Sequence, residues 1–266
     1  MTYMLRTLIR QFPEWERRAQ VGFVLAVLLL IPTLVIGLAG PRDLRTPALI
    51  STLSLVGTAQ VIFLWANRHM VTPFTRAQRS YLRGDFETAR QELETLHLED
   101  RADMQALTLL GNTYRQLGLL DESESVLYEA RNKNPDHYFP VYGLGRTLLV
   151  KGQFAQAAEV IEQALTRNAP PVIHADAGEA YYYAGDAAQA RLHLEAAQPH
   201  VSAEPHRDLL TTYLLYRLAA GTPPSQAIIA EGLAYWQAQA ARYQHTPYGD
   251  ALAQDIRILQ SLAKEL

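Results

Sequence analysis

Cysteine is absent from this chain, so neither a disulfide framework nor a thiolate metal site can form. Lysine is nearly absent too: three lysines stand against twenty-one arginines, a bias that points to a GC-rich bacterial genome. The sequence has no glycine-rich phosphate loop, no H-E-x-x-H pair and no nucleophile elbow. That leaves no visible catalytic constellation, cofactor site or small-molecule substrate site, and the chain reads as a non-enzyme. The eight histidines are scattered. His193, His200 and His206 come nearest to a cluster, but their spacing matches no standard metal pattern. They are expected to be solvated loop residues. Basic charge is scarce in the C-terminal two thirds, where residues 84–266 hold fourteen basic and twenty-four acidic side chains, a formal −10. Nucleic acid requires a basic footprint, so it is excluded as a partner.

Long apolar runs are present, and they lie at one end. Residues 21–39 carry no charge, and neither do residues 48–65. Each is close to the ~20 residues needed to cross the hydrocarbon core of a bilayer. A short loop, Gly40 to Thr46, separates them, so the pair reads as a two-helix transmembrane hairpin over residues 20–69. The first run is longer than the apolar core of a cleaved signal peptide, its leader carries Glu14 and Glu16, and a second run follows at once. Ser54, Gly57, Thr58 and Gln60 in the second run are candidates for packing against another membrane protein. Tyr3, Trp15 and Trp65 fall where interface aromatics sit.

Arginine is distributed unevenly around these runs. Arg6, Arg10, Arg17 and Arg18 precede the first, Arg42 and Arg45 lie between, and Arg68, Arg76, Arg79 and Arg83 follow the second. The positive-inside rule places both termini in the cytoplasm of a bacterial inner membrane. Residues 1–83 carry ten arginines against three acids, a formal +7 that anionic lipid would attract. Within residues 1–19, the apolar side chains of Met1, Met4, Leu5, Leu8, Ile9 and Phe12 share one helical face. That pattern suits a short interfacial helix, and equally a start that orders only against a partner.

Beyond the runs, the chain repeats itself. Gly84, Gly118, Gly152 and Gly185 recur at steps of 34, 34 and 33 residues. Seven residues before each stands a small residue: Ala77, Gly111, Gly145, Gly178. Nine residues after comes a large aliphatic: Leu93, Leu127, Ile161, Leu194. Such a period marks stacked helix–turn–helix units, each glycine ending a first helix and each small residue admitting a close neighbour. Residues 204–266 stay helical but lose the period. They read as one degenerate helix pair, with Ser225 capping its second helix, and a closing helix that covers the last apolar face.

Residues 70–203 resemble the tetratricopeptide repeat. The second unit carries Leu110-Gly111, Tyr114, Gly118, Leu127, Ala130 and Pro135, and the third Leu144-Gly145, Gly152, Phe154, Ala157 and Ala164. The expected fold is therefore all-α: a transmembrane hairpin followed by a solenoid of about four repeat pairs, a degenerate pair and a capping helix. The resemblance implies a concave groove lined by first helices. Candidate protein-binding residues there are Asn112, Arg115, Phe139, Tyr142, Arg146, Tyr182 and Tyr183. The family's clamp for chaperone tails needs two lysines and an asparagine; only Asn112 fits, with Thr108 at a lysine position. The expected role is a scaffold: an accessory subunit of an integral membrane complex, docking through hairpin or groove. The alternatives are a recruitment factor for soluble clients and a regulator of a partner enzyme.

Overall fold

In the computed structural model, residue 12, residues 15–67 and residues 72–265 are described. Of the residues 1–12 read as an interfacial helix, all but Phe12 fall outside them, as does the placement of Tyr3. All described regular structure is helical. Two compact units divide the chain, Met1–Thr72 and Pro73–Leu266.

The first unit is an antiparallel pair, α1 (Arg17–Ala39) and α2 (Arg42–Asn67). At about 1.5 Å per residue, 23 residues reach roughly 35 Å. The turn is shorter than the expected loop: α2 already begins at Arg42, and only Gly40 and Pro41 lie outside helix. Asp43 favours that start from the first turn, and the Arg45 guanidinium donates to the Gly40 carbonyl at 2.9 Å. The helices approach closely beside the turn, where a Cβ on Gly37 would lie 2.8 Å from Leu49 Cδ2. At the open end, Trp15 is buried among Phe12, Phe23 and Phe63, with ring centroids 5.3–5.8 Å away. It packs within the unit. Ser54, Gly57, Thr58 and Gln60 are all exposed. The Ser54 and Thr58 hydroxyls donate to carbonyls four residues back, and a Cβ on Gly57 would meet nothing within 4 Å outside its own helix backbone.

The second unit stacks helix pairs in chain order: α3 (Pro73–Leu82) with α4 (Phe86–Leu98), α5 (Met104–Gln116) with α6 (Leu120–Lys133), α7 (Tyr138–Val150) with α8 (Phe154–Leu165), and α9 (His174–Ala184) with α10 (Ala187–Ala197). Then come α11 (Pro205–Arg217), α12 (Gln226–Arg242) and α13 (Pro247–Glu265). The four periodic glycines all have positive φ, +79° three times and +85° at Gly185. In each case the following amide reaches back five residues: Asp85 to Ser80, Leu119 to Tyr114, Gln153 to Leu148 and Asp186 to Tyr181, at 2.9–3.0 Å. That bond closes the first helix and turns the chain into the second. Asp85, Asp186 and Ser225 then cap the next helices through their side chains.

The small and large positions of the period meet. A Cβ on Gly111 would lie 2.4 Å from Leu127, on Gly145 2.5 Å from Ile161, and on Gly178 2.6 Å from Leu194. Those aliphatics are fully buried, each contributing about 1.5–3 kcal/mol. Where most units have alanine, Ser123 donates to the Gly111 carbonyl at 2.7 Å and pairs with Thr147 Oγ1 at 2.8 Å. Asp121 and Glu124 clamp Lys151 at 2.7 and 2.6 Å, so two acids of this helix join neighbouring repeats.

Candidate functional site

The C-terminal helices lie against the first helices of the repeat pairs. The turn from α12 to α13 is set by Thr246, whose hydroxyl donates to the Tyr243 carbonyl at 2.9 Å and accepts from the Gly249 amide at 3.1 Å. Any side chain at 249 would collide with the Tyr243 carbonyl, at 1.9 Å. This tight turn lays the buried face of α13, with Tyr248, Leu252, Asp255, Ile256 and Leu259, against the array. Tyr248 donates to Glu179 at 2.7 Å. Tyr183 and Tyr213 both donate to Asp255, each at 2.8 Å. Pro247 sits on Gly152, where a Cβ would be 2.6 Å away. At the end of α12, Arg242 bonds Gln116 and lies 5.0 Å from the centroid of the Phe86 ring.

An ion-pair network forms the floor beneath. Arg146 Nη1 donates to Asp176 Oδ1 at 2.8 Å and to Glu179 Oε2 at 2.9 Å. Arg207 Nη2 donates to Asp176 Oδ2 at 2.8 Å and to the Tyr142 hydroxyl at 2.9 Å, and that hydroxyl donates to Asp176 at 3.1 Å. Burial alone would raise the pKa of Asp176, but Arg207 and Arg146 bring it below the ordinary carboxylate value. Glu179 moves the other way, because burial outweighs what Arg146 and Tyr248 return. Burial likewise raises Asp255 despite its two tyrosine donors and Arg217.

Between network and C-terminal helices remains a cavity of about 210 Å³. Arg115, Tyr142 and Arg146 line it together with Tyr235, Gln239 and Tyr248. Of the residues expected in the groove, Asn112 is buried and accepts from Arg115 at 2.7 Å, and Arg115 also reaches the Gly143 carbonyl at 3.2 Å. Phe139 and Tyr182 do not line the cavity. Phe139 packs edge-on to Tyr138 at 6.2 Å and Tyr182 edge-on to Tyr183 at 5.4 Å. Tyr183 turns toward α13. The partners Arg207, Tyr248 and Asp255 lie outside the periodic units, and no spacing rule links them to Tyr142 or Glu179. Their amphipathic placement on α11 and α13 marks them as helix residues and nothing more.

His193 and His206 depart from the expected solvated loops, whereas His200 is exposed in a short turn of 3-10 helix. His193 lies in α10 with 5% of its surface exposed, and its Nδ1 sits 3.0 Å from His174 Nδ1. His206 lies in α11, its ring centroid 4.1 Å from that of Tyr235. Burial lowers the pKa of His174, His193 and His206, followed by the charge of His200 at His174, of His174 at His193 and of Arg207 at His206. No group of three metal-ligating side chains occurs among the described residues.

The family model described as tetratricopeptide repeat matches residues 74–137 and 142–205. Among solved structures, the chain is similar to TTC0263, described as a thermophilic TPR protein in Thermus thermophilus. The identity is 21%, with a TM-score of 0.51 over 73% of this chain and 98% of that one. A chain described as the MamA RS-1 ArsTM double mutant aligns at 19% identity with a TM-score of 0.47, covering 63% of this chain and 94% of that one. No curated protein matches the chain.

Proposed function

We propose that the chain is a non-enzymatic protein-interaction scaffold anchored in a bacterial inner membrane by α1 and α2, with its repeat array in the cytoplasm. The observation that carries this reading is the contrast between the two units. The apolar windows of α1 and α2 are 11% and 0% buried, whereas the corresponding side chains of the array form closed cores. A helix of a soluble core would be mostly buried; these two present their apolar side chains outward, as a bilayer requires. Tetratricopeptide arrays bind proteins, and this array brings no catalytic constellation of its own.

Within that reading the chain serves as an accessory subunit of a membrane complex. Ser54, Gly57, Thr58 and Gln60 offer an exposed, small and polar surface on α2, off the face that meets α1, for another membrane helix. The test is extraction of native membranes, first with alkaline carbonate and then with gentle detergent, followed by native electrophoresis and identification of co-migrating chains. The protein should resist carbonate and migrate with a membrane partner. The triple variant S54L/G57L/T58L should lose that partner. Release by carbonate would sink the anchor, and migration alone after detergent extraction would sink the subunit reading.

A further inference from the structure

The cavity beside the ion-pair network has hydrogen-bond donors to spare. Among the described residues Arg115 meets no carboxylate. Its Nη1 donates to Asn112 Oδ1 at 2.7 Å and to the Gly143 carbonyl at 3.2 Å, and its Nε and Nη2 donate to none of them. Arg146 commits Nη1 to Asp176 and Glu179, and its Nε and Nη2 likewise have no acceptor among the described residues. On the facing wall stand Gln239 and Tyr243, one helical turn apart at the end of α12 and only 8% and 3% exposed. Neither the Gln239 amide nor the Tyr243 hydroxyl makes a hydrogen bond among the described residues. Leaving a buried polar group without a partner is costly, and two such groups on one cavity point to something that pairs with them there.

The acceptors of the cavity, by contrast, are taken. Asp176 receives Arg146 on Oδ1, and Arg207 and Tyr142 on Oδ2. Glu179 receives Tyr248 on Oε1 and Arg146 on Oε2. By formal charge three arginines, Arg115, Arg146 and Arg207, line the cavity against these two carboxylates. What the site offers a ligand is therefore a set of donors and an excess of positive charge. That combination selects an anion rich in acceptor oxygens, because the guanidinium fork matches carboxylate and phosphate. Size narrows the choice: at roughly 30 Å³ per water, a cavity of about 210 Å³ has the room of about seven waters, that of a small metabolite. A peptide helix, about 10–12 Å across, is too large for it. Trp236 and Leu252 add an apolar wall against which the body of a small organic molecule can lie.

We propose that this cavity binds a small organic anion, held by Arg115 and Arg146 from the first helices α5 and α7 and by Gln239 and Tyr243 from the end of α12. The head of the ligand is a carboxylate or a phosphate, and its body rests on Trp236 and Leu252. Bound there, the anion joins α12 to the repeats, so its occupancy sets how firmly the C-terminal helices are held. The site is one for a small molecule, and it goes beyond the scaffold reading above without depending on which protein the scaffold engages.

The experiment titrates the full chain in detergent micelles by isothermal calorimetry. The probes are inorganic phosphate, phenyl phosphate, benzoate and the neutral benzyl alcohol. At least one of the three anions should bind with a submillimolar Kd, and benzyl alcohol should bind at least tenfold more weakly. Phenyl phosphate ahead of benzoate assigns a phosphate head, and the reverse order a carboxylate. A saturating concentration of the binding anion should raise Tm by several degrees, since only the folded chain takes it up. Gln239→Leu removes an amide that has no partner, so the variant should melt no lower than wild type in the absence of anion. Its affinity for the anion should nevertheless fall at least tenfold. Arg115→Met should weaken binding by a similar factor. No heat from any of the anions at millimolar concentration, equal binding of benzyl alcohol, or an unchanged affinity in Gln239→Leu would each overturn the proposal. So would tighter binding by a pentapeptide with a free C-terminal carboxylate, because the site would then be one for a chain end. The assay involves neither a bilayer nor a protein partner, so its outcome is separate from that of the membrane extraction.

Discussion

Replacing Arg146 with methionine removes the one cation shared by two buried carboxylates. Its side chain is 14% exposed, and those of Asp176 and Glu179 are 5% and 3%. Asp176 keeps Arg207 and the Tyr142 hydroxyl after the change, but Glu179 keeps only Tyr248. The loss therefore falls on Glu179, whose pKa is already raised by burial. Removing one partner of a buried pair costs about 3–5 kcal/mol, because the other charge stays desolvated. For a domain of this size each kcal/mol lowers Tm by about 2–4 °C, so a drop on the order of 10 °C is expected. Glu179 can escape part of this by taking a proton, so the deficit should shrink as the pH is lowered from 7 to 5. Adding Glu179→Gln to Arg146→Met removes the stranded charge and should restore more than half of the loss. Thermal melts of the full chain in detergent, followed by circular dichroism at both pH values, make the comparison. If Arg146→Met shifts Tm by less than about 2 °C, or the double variant is no better than the single one, the network does not bind the array as described.

The histidines set a second expectation. His174, His193 and His206 all have folded pKa values below the ordinary value near 6.5. Their contribution is complete above that value and is lost as pH falls through it toward the lower folded values, since only the unfolded chain takes up the protons. The array should therefore melt at lower temperature at pH 5.5 than at pH 7.5, with a smaller difference for His193→Gln; an unchanged difference would remove this pair as its source. Gly145→Leu drives a side chain into Ile161, fully buried, and should cost more than Gly185→Ala, whose Cβ meets nothing within 4 Å and carries only the left-handed backbone cost of about 1–2 kcal/mol. Equal losses in denaturant titration would contradict that packing. For the proposed topology, a cysteine at Asp43 should react with an impermeant maleimide on intact cells and one at Ser202 should not; the reverse pattern would invert the anchor.

The period of the sequence by itself determined the repeat. Glycine at 34-residue steps, a small residue seven before and an aliphatic nine after are local facts, and the geometry they require, a left-handed cap and a close helix contact, is also local. Gly111 against Leu127 could be anticipated because both lie in one unit. The two apolar runs were legible for the same reason, since length and composition alone define a helix long enough to cross a bilayer. The fate of the groove was not legible. Tyr142 and Tyr183 were readable as groove-facing positions, but their partners Arg207 and Asp255 lie 65 and 72 residues away, in segments without the period. Tyr248 reaches Glu179 across 69 residues in the same way. Whether a groove-facing arginine such as Arg146 meets solvent or a buried carboxylate depends on where the superhelix carries the C-terminal helices. That is set by the summed rotation of every repeat and by the turn at Thr246. His193 escaped for a related reason: its spacing to other histidines in sequence matches no pattern, and only the stacking of α9 on α10 brings His174 to 3.0 Å from it. Local order was written in neighbouring residues; the pairing of charges between the first helices and the C-terminal helices required the closed tertiary arrangement.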